Sequence, residues 1–267
     1  MLRPRLIPCL LLHQGGLVKT VGFKDPKYVG DPINAVKIFN EKEADELVVL
    51  DIDATVNGVE PNYKLIADLA AECRMPLCYG GGVRSVEQAK RISGLGVEKV
   101  AISAAALADP ALVTRTAAAI GRQSVVVVLD VRKTSGFFGR GYQTFTHNGT
   151  RPGPQQDPIA LAAAMEAAGA GEILLNSIDR DGHMKGYDLQ LAREVRKILR
   201  IPMTVLGGAG THDDLKDLFQ ACGVVGAAAG SLFVFKGQYR AVLISYPSAQ
   251  QKDEIGSAAS SLVTTFG

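Results

Sequence analysis

The chain has 267 residues, of which 47% are hydrophobic and 21% charged, a balance that excludes collagen-like, disordered and disulfide-scaffold classes. Its 29 basic and 27 acidic residues give a formal net charge of +2, which provides no electrostatic basis for binding nucleic acid or a membrane surface. The four cysteines form no CxxC pair, and no apolar run is as long as a membrane span. We therefore expect a cytoplasmic protein with reduced thiols that has neither a nucleic acid nor a membrane as a partner.

Eight apolar runs of strand length recur along the chain. The fifth run, Val125–Leu129, is the clearest, because a β-branched segment of this length does not form an amphipathic helix. Runs this continuous are typical of parallel strands that are covered on their outer face. The predicted strands are Leu6–Leu12, Leu47–Leu50, Pro76–Tyr79, Lys99–Ser103, Val125–Leu129, Glu172–Leu175, Ile201–Leu206 and Val224–Ala229.

Helical patterns separate these runs, for example at Ser85–Gly94, Pro110–Ile120 and Pro158–Ala168. Asp109 and Asp157 each precede a proline, which is typical of a helix N-cap followed by proline at the first helical position. Eight β/α repeats in this length predict an α/β fold of the (β/α)8 TIM barrel type, with a doubly wound sheet as the alternative.

An internal repeat favours the barrel. The segment Glu46–Asp53 resembles Glu172–Asp179, 126 positions later, and Gly80–Gly82 matches Gly207–Gly210 at an offset of 127. Two four-strand halves of equal design close into one barrel, whereas an open sheet has no need of the duplication. We therefore expect one domain of two duplicated half-barrels over residues 1–250, followed by a small, polar, loosely ordered tail over residues 251–267.

Small residues follow four of the predicted strands, at the end where barrel enzymes hold their active sites. Glycine segments follow the third and seventh strands, while Ser103-Ala104 and Gly230-Ser231 end the fourth and eighth. Glycine lets backbone N–H groups approach a ligand, and a following helix N-terminus favours an anion. The pairing predicts two phosphate sites related by the repeat, although either glycine segment alone is equally typical of a tight turn.

Carboxylates at the strand ends are the candidate acids and bases. Asp130 stands out because it ends a purely apolar run, where burial would raise its pKa into the range useful for general acid–base catalysis. For a single Asp, an equally good interpretation is a structural role, in which the carboxylate stabilises a loop through hydrogen bonds. The repeat places Leu11 at the equivalent position of the first strand. The other candidates are Asp51 and Asp53 after the second strand, and Asp179 and Asp181 after the sixth.

A second charged set lies at the opposite end of the strands, where Arg5, Glu46, Lys99 and Glu172 precede or begin strands one, two, four and six. Ordinary solvated charge is one interpretation. The match of Glu46 with Glu172 across the repeat favours the other, a ring that closes the barrel floor. The histidines and cysteines lack metal-ligand spacing, and no nucleotide-binding glycine motif occurs, so we predict neither a metal nor a cofactor.

The chain resembles the cyclase subunit of imidazole glycerol phosphate synthase across almost all of residues 1–245. The resemblance depends on motifs that include Tyr79–Val83, Ser177–Gly182, Gly186–Asp188 and Gly207–Gly210. It implies a duplicated (β/α)8 barrel that binds a substrate with a phosphate at each end. It also implies that a glutaminase subunit docks at the N-terminal face and sends ammonia through the barrel, where the imidazole ring of a histidine precursor forms.

The resemblance also implies roles for individual residues. Arg5, Glu46, Lys99 and Glu172 match the family's gate at the ammonia entrance, and Asp130 matches one of its two catalytic aspartates. Substrate or phosphate contacts are implied for Lys19, Gly82, Ser103, Asn176, Asp181, Gly208, Gly230 and Ser231.

The chain departs from the family pattern at the reacting end. Leu11 replaces the first catalytic aspartate, and Asn176, Leu206 and Ala104 stand where the family has hydroxyl side chains. Because leucine cannot transfer a proton, we expect reduced or altered cyclase activity. The loop over residues 131–157 also looks enlarged.

A matching charged gate combined with an altered reacting end resembles a paralogous branch found in bacterial surface-polysaccharide gene clusters. The segments Leu11–Thr20 and Asp51–Thr55 carry this resemblance. That branch works with a glutaminase and an ATP-using, amidotransferase-like protein to turn an acetamido sugar into an acetamidino sugar of the lipopolysaccharide O-antigen. We predict an ammonia-using subunit of this branch. Two alternatives stay open: a histidine-pathway cyclase in which Asp51 or Asp53 replaces the missing acid, and a non-catalytic partner that activates the glutaminase and conducts ammonia.

Overall fold

The computed structural model describes residues 3–136, 139–154 and 157–259. In these residues eight strands form a closed ring, since each strand pairs in parallel with the next and the eighth pairs with the first. The ring confirms the predicted (β/α)8 barrel and excludes the doubly wound sheet. Its strands are β1 (Arg5–His13), β2 (Leu47–Asp51), β3 (Leu77–Gly80), β4 (Lys99–Ile102), β5 (Val125–Gly136), β6 (Glu172–Ser177), β7 (Met203–Leu206) and β8 (Gly226–Ala229).

Helices connect these strands and cover the outside of the ring. The predicted caps form, because the Asp109 carboxylate accepts a hydrogen bond from Ala111 N at 3.1 Å and Asp157 accepts one from Ile159 N at 2.9 Å. The helices are α1 (Pro32–Glu41), α2 (Ala54–Asn57), α3 (Tyr63–Glu72), α4 (Val86–Gly94), α5 (Ala104–Ala108), α6 (Pro110–Ile120), α7 (Pro158–Ala168), α8 (Leu189–Ile198), α9 (His212–Cys222), α10 (Ser231–Val234) and α11 (Ala249–Ser257).

Apolar side chains form a core on each side of the strand ring. Because side chains alternate along a strand, one set packs against the helices and the other fills the barrel. Burial on both faces explains why the strands are continuous apolar runs rather than alternating ones. The inner core consists of Ile7, Cys9, Val48, Cys78, Ala101, Val126, Val128, Leu174, Leu206 and Ala228, with Leu11 and Leu50 packed against it.

The strand register reproduces the internal repeat. Leu11 on β1 lies opposite Leu50 on β2, and Asp130 on β5 lies opposite Asn176 on β6. Leu50 and Asn176 are 126 positions apart, and the β2–β3 and β6–β7 pairs share one register at that offset. Leu11 and Asp130 therefore occupy equivalent positions in the two halves.

The two glycine segments adopt matching backbone conformations. Gly81 and Gly207 have φ values of +123° and +97°, and a Cβ on either would collide with the carbonyl oxygen at the end of the preceding strand. That oxygen belongs to Asp51 in the first half and to Ser177 in the second. Gly81 and Gly207 are 126 positions apart, and so are Asp51 and Ser177. The structure therefore aligns the two glycine segments at an offset of 126, one residue less than the 127 expected from the sequence.

Two antiparallel hairpins extend from the C-terminal ends of the barrel strands. After β1, the segments Gly16–Val21 and Lys24–Gly30 pair with each other, and the first also pairs with β1. After β5, the extended strand turns back as Gly139–Thr146, which also pairs with Arg151–Pro152. The loop that looked enlarged is therefore mainly a hairpin, and its residues 137–138 and 155–156 lie outside the described ranges.

The first part of the segment expected as a loose tail is helical. Ser248 caps α11 by accepting a hydrogen bond from Gln251 N, and Ile255, 1% exposed, packs into the outer core. This apolar anchor and the cap explain the order that a small, polar composition did not predict, while residues 260–267 lie outside the described ranges. No helix in the part of the chain that the structure describes is long and apolar enough to cross a membrane.

Candidate active site

A cavity of about 380 Å³ opens at the C-terminal ends of the barrel strands. The last residues of all eight barrel strands lie at this end of the fold, so polar and ionisable side chains from distant parts of the sequence lie close together there. Leu11 also lines this cavity. The predicted reacting-end residues in its lining are Lys19, Gly82, Ser103, Asp130, Asn176, Asp181, Gly208, Gly230 and Ser231.

Asp130 and Asn176 form a polar pair in the second half of the cavity. The Nδ2 atom of Asn176 donates a hydrogen bond to Asp130 Oδ1 at 2.9 Å. Burial raises the pKa of Asp130 to about 6, against the opposing effect of that hydrogen bond. Asp130 therefore exchanges a proton near neutral pH, as a general acid or base requires. Asn176 Oδ1 is buried and has no hydrogen-bond partner among the described residues.

The equivalent pair in the first half, Leu11 and Leu50, is apolar. Both side chains line the same cavity as Asp130, as do Leu206 and Ala104. Hydrocarbon side chains neither donate nor accept protons, so the acid–base chemistry of the two halves is unequal.

Lys19 supplies a cation at one end of the cavity. It lies on the hairpin after β1, is 6% exposed, and donates a hydrogen bond from Nζ to the carbonyl oxygen of Cys9. Burial lowers the pKa of Lys19, although Cys9 and Asp181 favour its charged form. A Cβ at Gly230 would collide with the Lys19 ammonium, which explains the glycine there. With Ser231 beside it, this end of the cavity presents an ammonium and a hydroxyl that suit a phosphate.

The opposite end combines backbone and hydroxyl groups. Gly82 N lies 3.3 Å from Thr55 Oγ1, to which it donates, and the buried Ser103 Oγ has no partner among the described residues. Arg84 also lines this end and donates from Nη1 to Gly58 O at 3.1 Å. Thr55 and Arg84 were not predicted from the sequence, although the position of Arg84, two residues after the glycine segment, was a usable signal.

The remaining carboxylates at the strand ends differ in their surroundings. Asp181 Oδ2 accepts from Thr20 Oγ1 at 2.7 Å and from Phe23 N at 3.1 Å, so it holds the hairpin after β1 across the cavity. Burial raises the pKa of Asp181 and of Asp51. Asp51 lines the cavity, and its Oδ1 accepts from the backbone amides of Asp53 and Ala54, the N-cap and first residue of α2.

Asp53, the second alternative acid, lies outside the cavity lining. One of its carboxylate oxygens is 2.7 Å from His13 Nδ1, and the other accepts a hydrogen bond from Gln14 N at 2.7 Å. Asp179 accepts from Lys133 N at 2.6 Å. Both carboxylates therefore hold loops, as the alternative interpretation of a strand-end Asp proposed.

The four charged residues at the N-terminal end form a closed ring. Lys99 Nζ lies 2.7 Å from Glu46 Oε1 and 2.8 Å from Glu172 Oε2, and Arg5 bonds both glutamates. Each glutamate is only 4% exposed, so the interpretation as ordinary solvated charge is wrong. Thr204 Oγ1 also donates to Glu172 at 2.5 Å, a contact that the sequence analysis missed.

The ring stabilises the charged forms of Glu172, Arg5 and Lys99. Burial alone would raise the pKa of Glu172, but Arg5 and Lys99 outweigh it and hold this pKa at about 2. The same attraction raises the pKa values of Arg5 and Lys99 against the effect of burial. Glu172, Arg5 and Lys99 are therefore charged at neutral pH, and the ring is separated from the cavity by the apolar inner core.

The hairpin after β5 brings two further residues to the cavity that the sequence analysis did not single out, His147 and Asn148. They follow a hairpin strand rather than a strand of the barrel, so no apolar run in the sequence marked their position at the cavity. Within the described ranges, no cluster of three or more His, Cys, Asp or Glu side chains is placed to hold a metal ion.

The closed ring of strands, the duplicated register and the glycine-lined cavity define a half-barrel-duplicated (β/α)8 protein. The chain belongs to the histidine biosynthesis protein family, whose sequence model matches residues 5–240. It is 57% identical over 252 residues to "Putative imidazole glycerol phosphate synthase subunit hisF3" of Vibrio vulnificus, covering 94% of this chain and 96% of the relative.

Two further relatives extend this likeness. "Putative imidazole glycerol phosphate synthase subunit hisF2" of Pseudomonas aeruginosa is 56% identical over 253 residues, which are 95% of this chain and 99% of the relative. "Imidazole glycerol phosphate synthase subunit HisF" of Hyphomonas neptunium is 42% identical over 235 residues, which are 88% of this chain and 91% of the relative. Within the family the chain is therefore of the HisF type.

Proposed function

We propose that the chain is the ammonia-using barrel subunit of an imidazole glycerol phosphate synthase-type glutamine amidotransferase complex, with a phosphorylated small molecule as substrate. The observation that carries this proposal is the intact ring of Arg5, Glu46, Lys99 and Glu172 on the same barrel axis as a cavity holding Asp130. A glutaminase subunit docked at the N-terminal face releases ammonia at this ring, which acts as its gate.

The interior between ring and cavity favours neutral ammonia over ammonium. Its side chains are apolar and include the small residues Ala101 and Ala228 and the thiols of Cys9 and Cys78. Burying an isolated ammonium ion costs several kcal/mol even after relaxation, whereas ammonia carries no such charge penalty. Ammonia that enters in its neutral form therefore reaches the cavity as a nucleophile.

The finer proposal concerns the substrate. We infer that Asp130 has the role of the family's second catalytic aspartate and that Leu11 occupies the position of the first, because the strand register makes these positions equivalent in the two halves. Identity of 56–57% to the two numbered relatives, against 42% to the Hyphomonas subunit, supports a separate branch. We assign the chain to acetamidino-sugar formation for the lipopolysaccharide O-antigen, together with the glutaminase and an ATP-using, amidotransferase-like protein.

The purified protein with an ammonium salt and the histidine-pathway intermediate tests this assignment. One missing acid–base group predicts turnover about 10²–10⁴-fold below that of a HisF subunit with both aspartates, and Leu11→Asp should recover much of it. Turnover of the unmodified chain at the full rate would reject the separate substrate. In the reconstituted sugar-modifying complex, Asp130→Asn should abolish product formation, and full activity of this variant would identify a non-catalytic ammonia conduit instead.

A histidine-pathway cyclase is the second candidate, and one observation favours it. Asp51 lines the cavity next to the leucine pair, and burial raises its pKa toward the working range of an acid–base group. If the chain is such a cyclase, it turns over the histidine-pathway intermediate at the full rate, and the Asp51→Asn variant loses this turnover. Asp53→Asn is the matched control, because its carboxylate lies outside the cavity lining.

A further inference from the structure

The hairpin after β5 brings an ionisable side chain to the cavity that lacks its first acid. We propose that His147 is the second proton-transfer residue of the reaction, working with Asp130 in place of the carboxylate that Leu11 lacks. The proposal depends on the proposed function, because it requires a reaction inside this cavity.

Hydrogen bonds fix the hairpin to the first half of the barrel. Asn148, the neighbour of His147, donates from Nδ2 to Ile52 O at 2.8 Å. Ile52 N in turn donates to Leu12 O at 3.1 Å, directly beside Leu11 on β1. The hairpin leaves the barrel at β5 and docks on the residue after β2, so it carries His147 to the side of the cavity that the leucine pair lines.

The turn that presents His147 has an unusual backbone. His147, Asn148 and Gly149 have φ values of +52°, +54° and +72°, three left-handed residues in succession. Thr150 closes the turn, since its N and Oγ1 donate to His147 O at 3.2 and 2.6 Å. Left-handed conformations of non-glycine residues are costly and persist where the surrounding contacts demand them, often at functional sites.

The contacts of the imidazole define its neutral form. Nε2 lies 3.3 Å from Arg151 Nη1, and because a guanidinium only donates, Nε2 is the acceptor and Nδ1 carries the proton toward Thr146 Oγ1 at 3.0 Å. Burial, followed by the charge of Arg151, lowers the pKa of His147. The Nε2 lone pair accepts from Arg151 through a long contact of 3.3 Å, and a substrate group that displaces this contact gains the lone pair for its proton.

The other ionisable side chains of the cavity apart from Asp130 are less available. The Cys9 thiol is held neutral, because burial raises its pKa to about 11. Two of the remaining groups are carboxylates that accept hydrogen bonds: Asp51 accepts from two backbone amides at the start of α2, and Asp181 accepts from Thr20 and Phe23. The other two are cations that donate to backbone carbonyl oxygens: Lys19 donates to Cys9 O, and Arg84 donates to Gly58 O.

His147→Gly tests the proposal with little risk to folding, since glycine adopts the φ of +52° without strain. The assay is ammonium-dependent turnover of the histidine-pathway intermediate, with and without added imidazole. We expect the residual turnover of the otherwise unmodified chain to fall about 100-fold and imidazole to restore a measurable part of it. His183→Gly is the matched control, because His183 is exposed and lies outside the cavity lining. Absence of rescue by imidazole would overturn the proposal.

The same substitution in a Leu11→Asp background separates chemistry from structure. With two carboxylates present, His147→Gly should change turnover less than about threefold, because the second acid–base group is again a carboxylate. An equal loss in both backgrounds would mean that His147 only holds the hairpin, and would refute the role. No residual turnover in the unmodified chain, with Leu11→Asp active, would also refute it. If Leu11→Asp is inactive although calorimetry shows that the intermediate binds, the proposed function itself fails.

Discussion

Replacing Glu172 with glutamine removes one negative charge from the buried ring and leaves Arg5 and Lys99 with Glu46 alone. The ring lowers the pKa of Glu172 from its ordinary value of 4.5 to about 2. At about 1.4 kcal/mol per pKa unit, this shift corresponds to about 3 kcal/mol of folding free energy at neutral pH. The value agrees with the 3–5 kcal/mol typical of breaking a buried ion pair. We therefore expect Glu172→Gln to lower the free energy of unfolding by about 3 kcal/mol.

Urea unfolding at several pH values measures this effect and identifies its origin. Because the folded pKa lies below the unfolded one, the stabilisation is complete above about pH 5 and is lost as the pH falls toward 2. The difference between the unmodified chain and Glu172→Gln should therefore shrink steadily between about pH 5 and pH 3. Glu254→Gln, on an exposed face of α11, should change stability by less than about 0.5 kcal/mol. A Glu172→Gln deficit that is equal at pH 7 and pH 3 would refute the electrostatic explanation.

Three further substitutions test the cavity and one helix. Asp130→Asn should raise the free energy of unfolding at pH 7 by about 3 kcal/mol in urea titrations, and the gain should vanish below about pH 4, because burial disfavours the charged carboxylate. Gly230→Ala displaces the Lys19 ammonium and should weaken binding of the histidine-pathway intermediate at least about tenfold by calorimetry. Gly94→Ala is the control and should leave binding unchanged, because a Cβ added at Gly94 contacts no other atom. Asp157→Ala should cost about 1 kcal/mol in thermal or urea unfolding, with Asp157→Asn close to the unmodified chain.

The barrel strands were predictable because both of their faces are buried. An apolar run such as Val125–Leu129 marks the part of β5 that lies between the inner and outer cores. The strand itself continues to Gly136, where it pairs with an antiparallel partner outside the barrel. Residues such as Arg132 and Lys133 are polar there because the hairpin projects from the ring, so a search for continuous apolar runs ends too early. The β7 strand begins at Met203 rather than Ile201, since Pro202 has no N–H to donate.

The candidate site was predictable to the extent that its residues follow strands. Asp130 and the glycine segments stand at strand ends in sequence, and a parallel barrel brings all such ends to one face. His147 and Arg84 reach the same cavity from loops, through tertiary contacts such as that of Asn148 with Ile52 O. Contacts of this kind depend on the docked hairpin and have no periodic signal. The left-handed turn was equally hidden, because Asn and Gly in a loop are typical of many turns.

The duplication explains how the two ends of the barrel can differ in function. At the floor, Glu46 and Glu172 are equivalent and both are retained, since each binds Arg5 and Lys99 and the loss of either would leave a buried charge unpaired. At the cavity, the equivalent positions hold Leu11 and Asp130, and exchanging an acid for a leucine there leaves no charge unpaired. The apolar inner core lies between the two layers, so their effects on stability should be nearly additive. The proposed change of substrate at the cavity is therefore compatible with an intact charged ring at the floor, and double substitutions of Glu172 and Asp130 should show free-energy changes that sum.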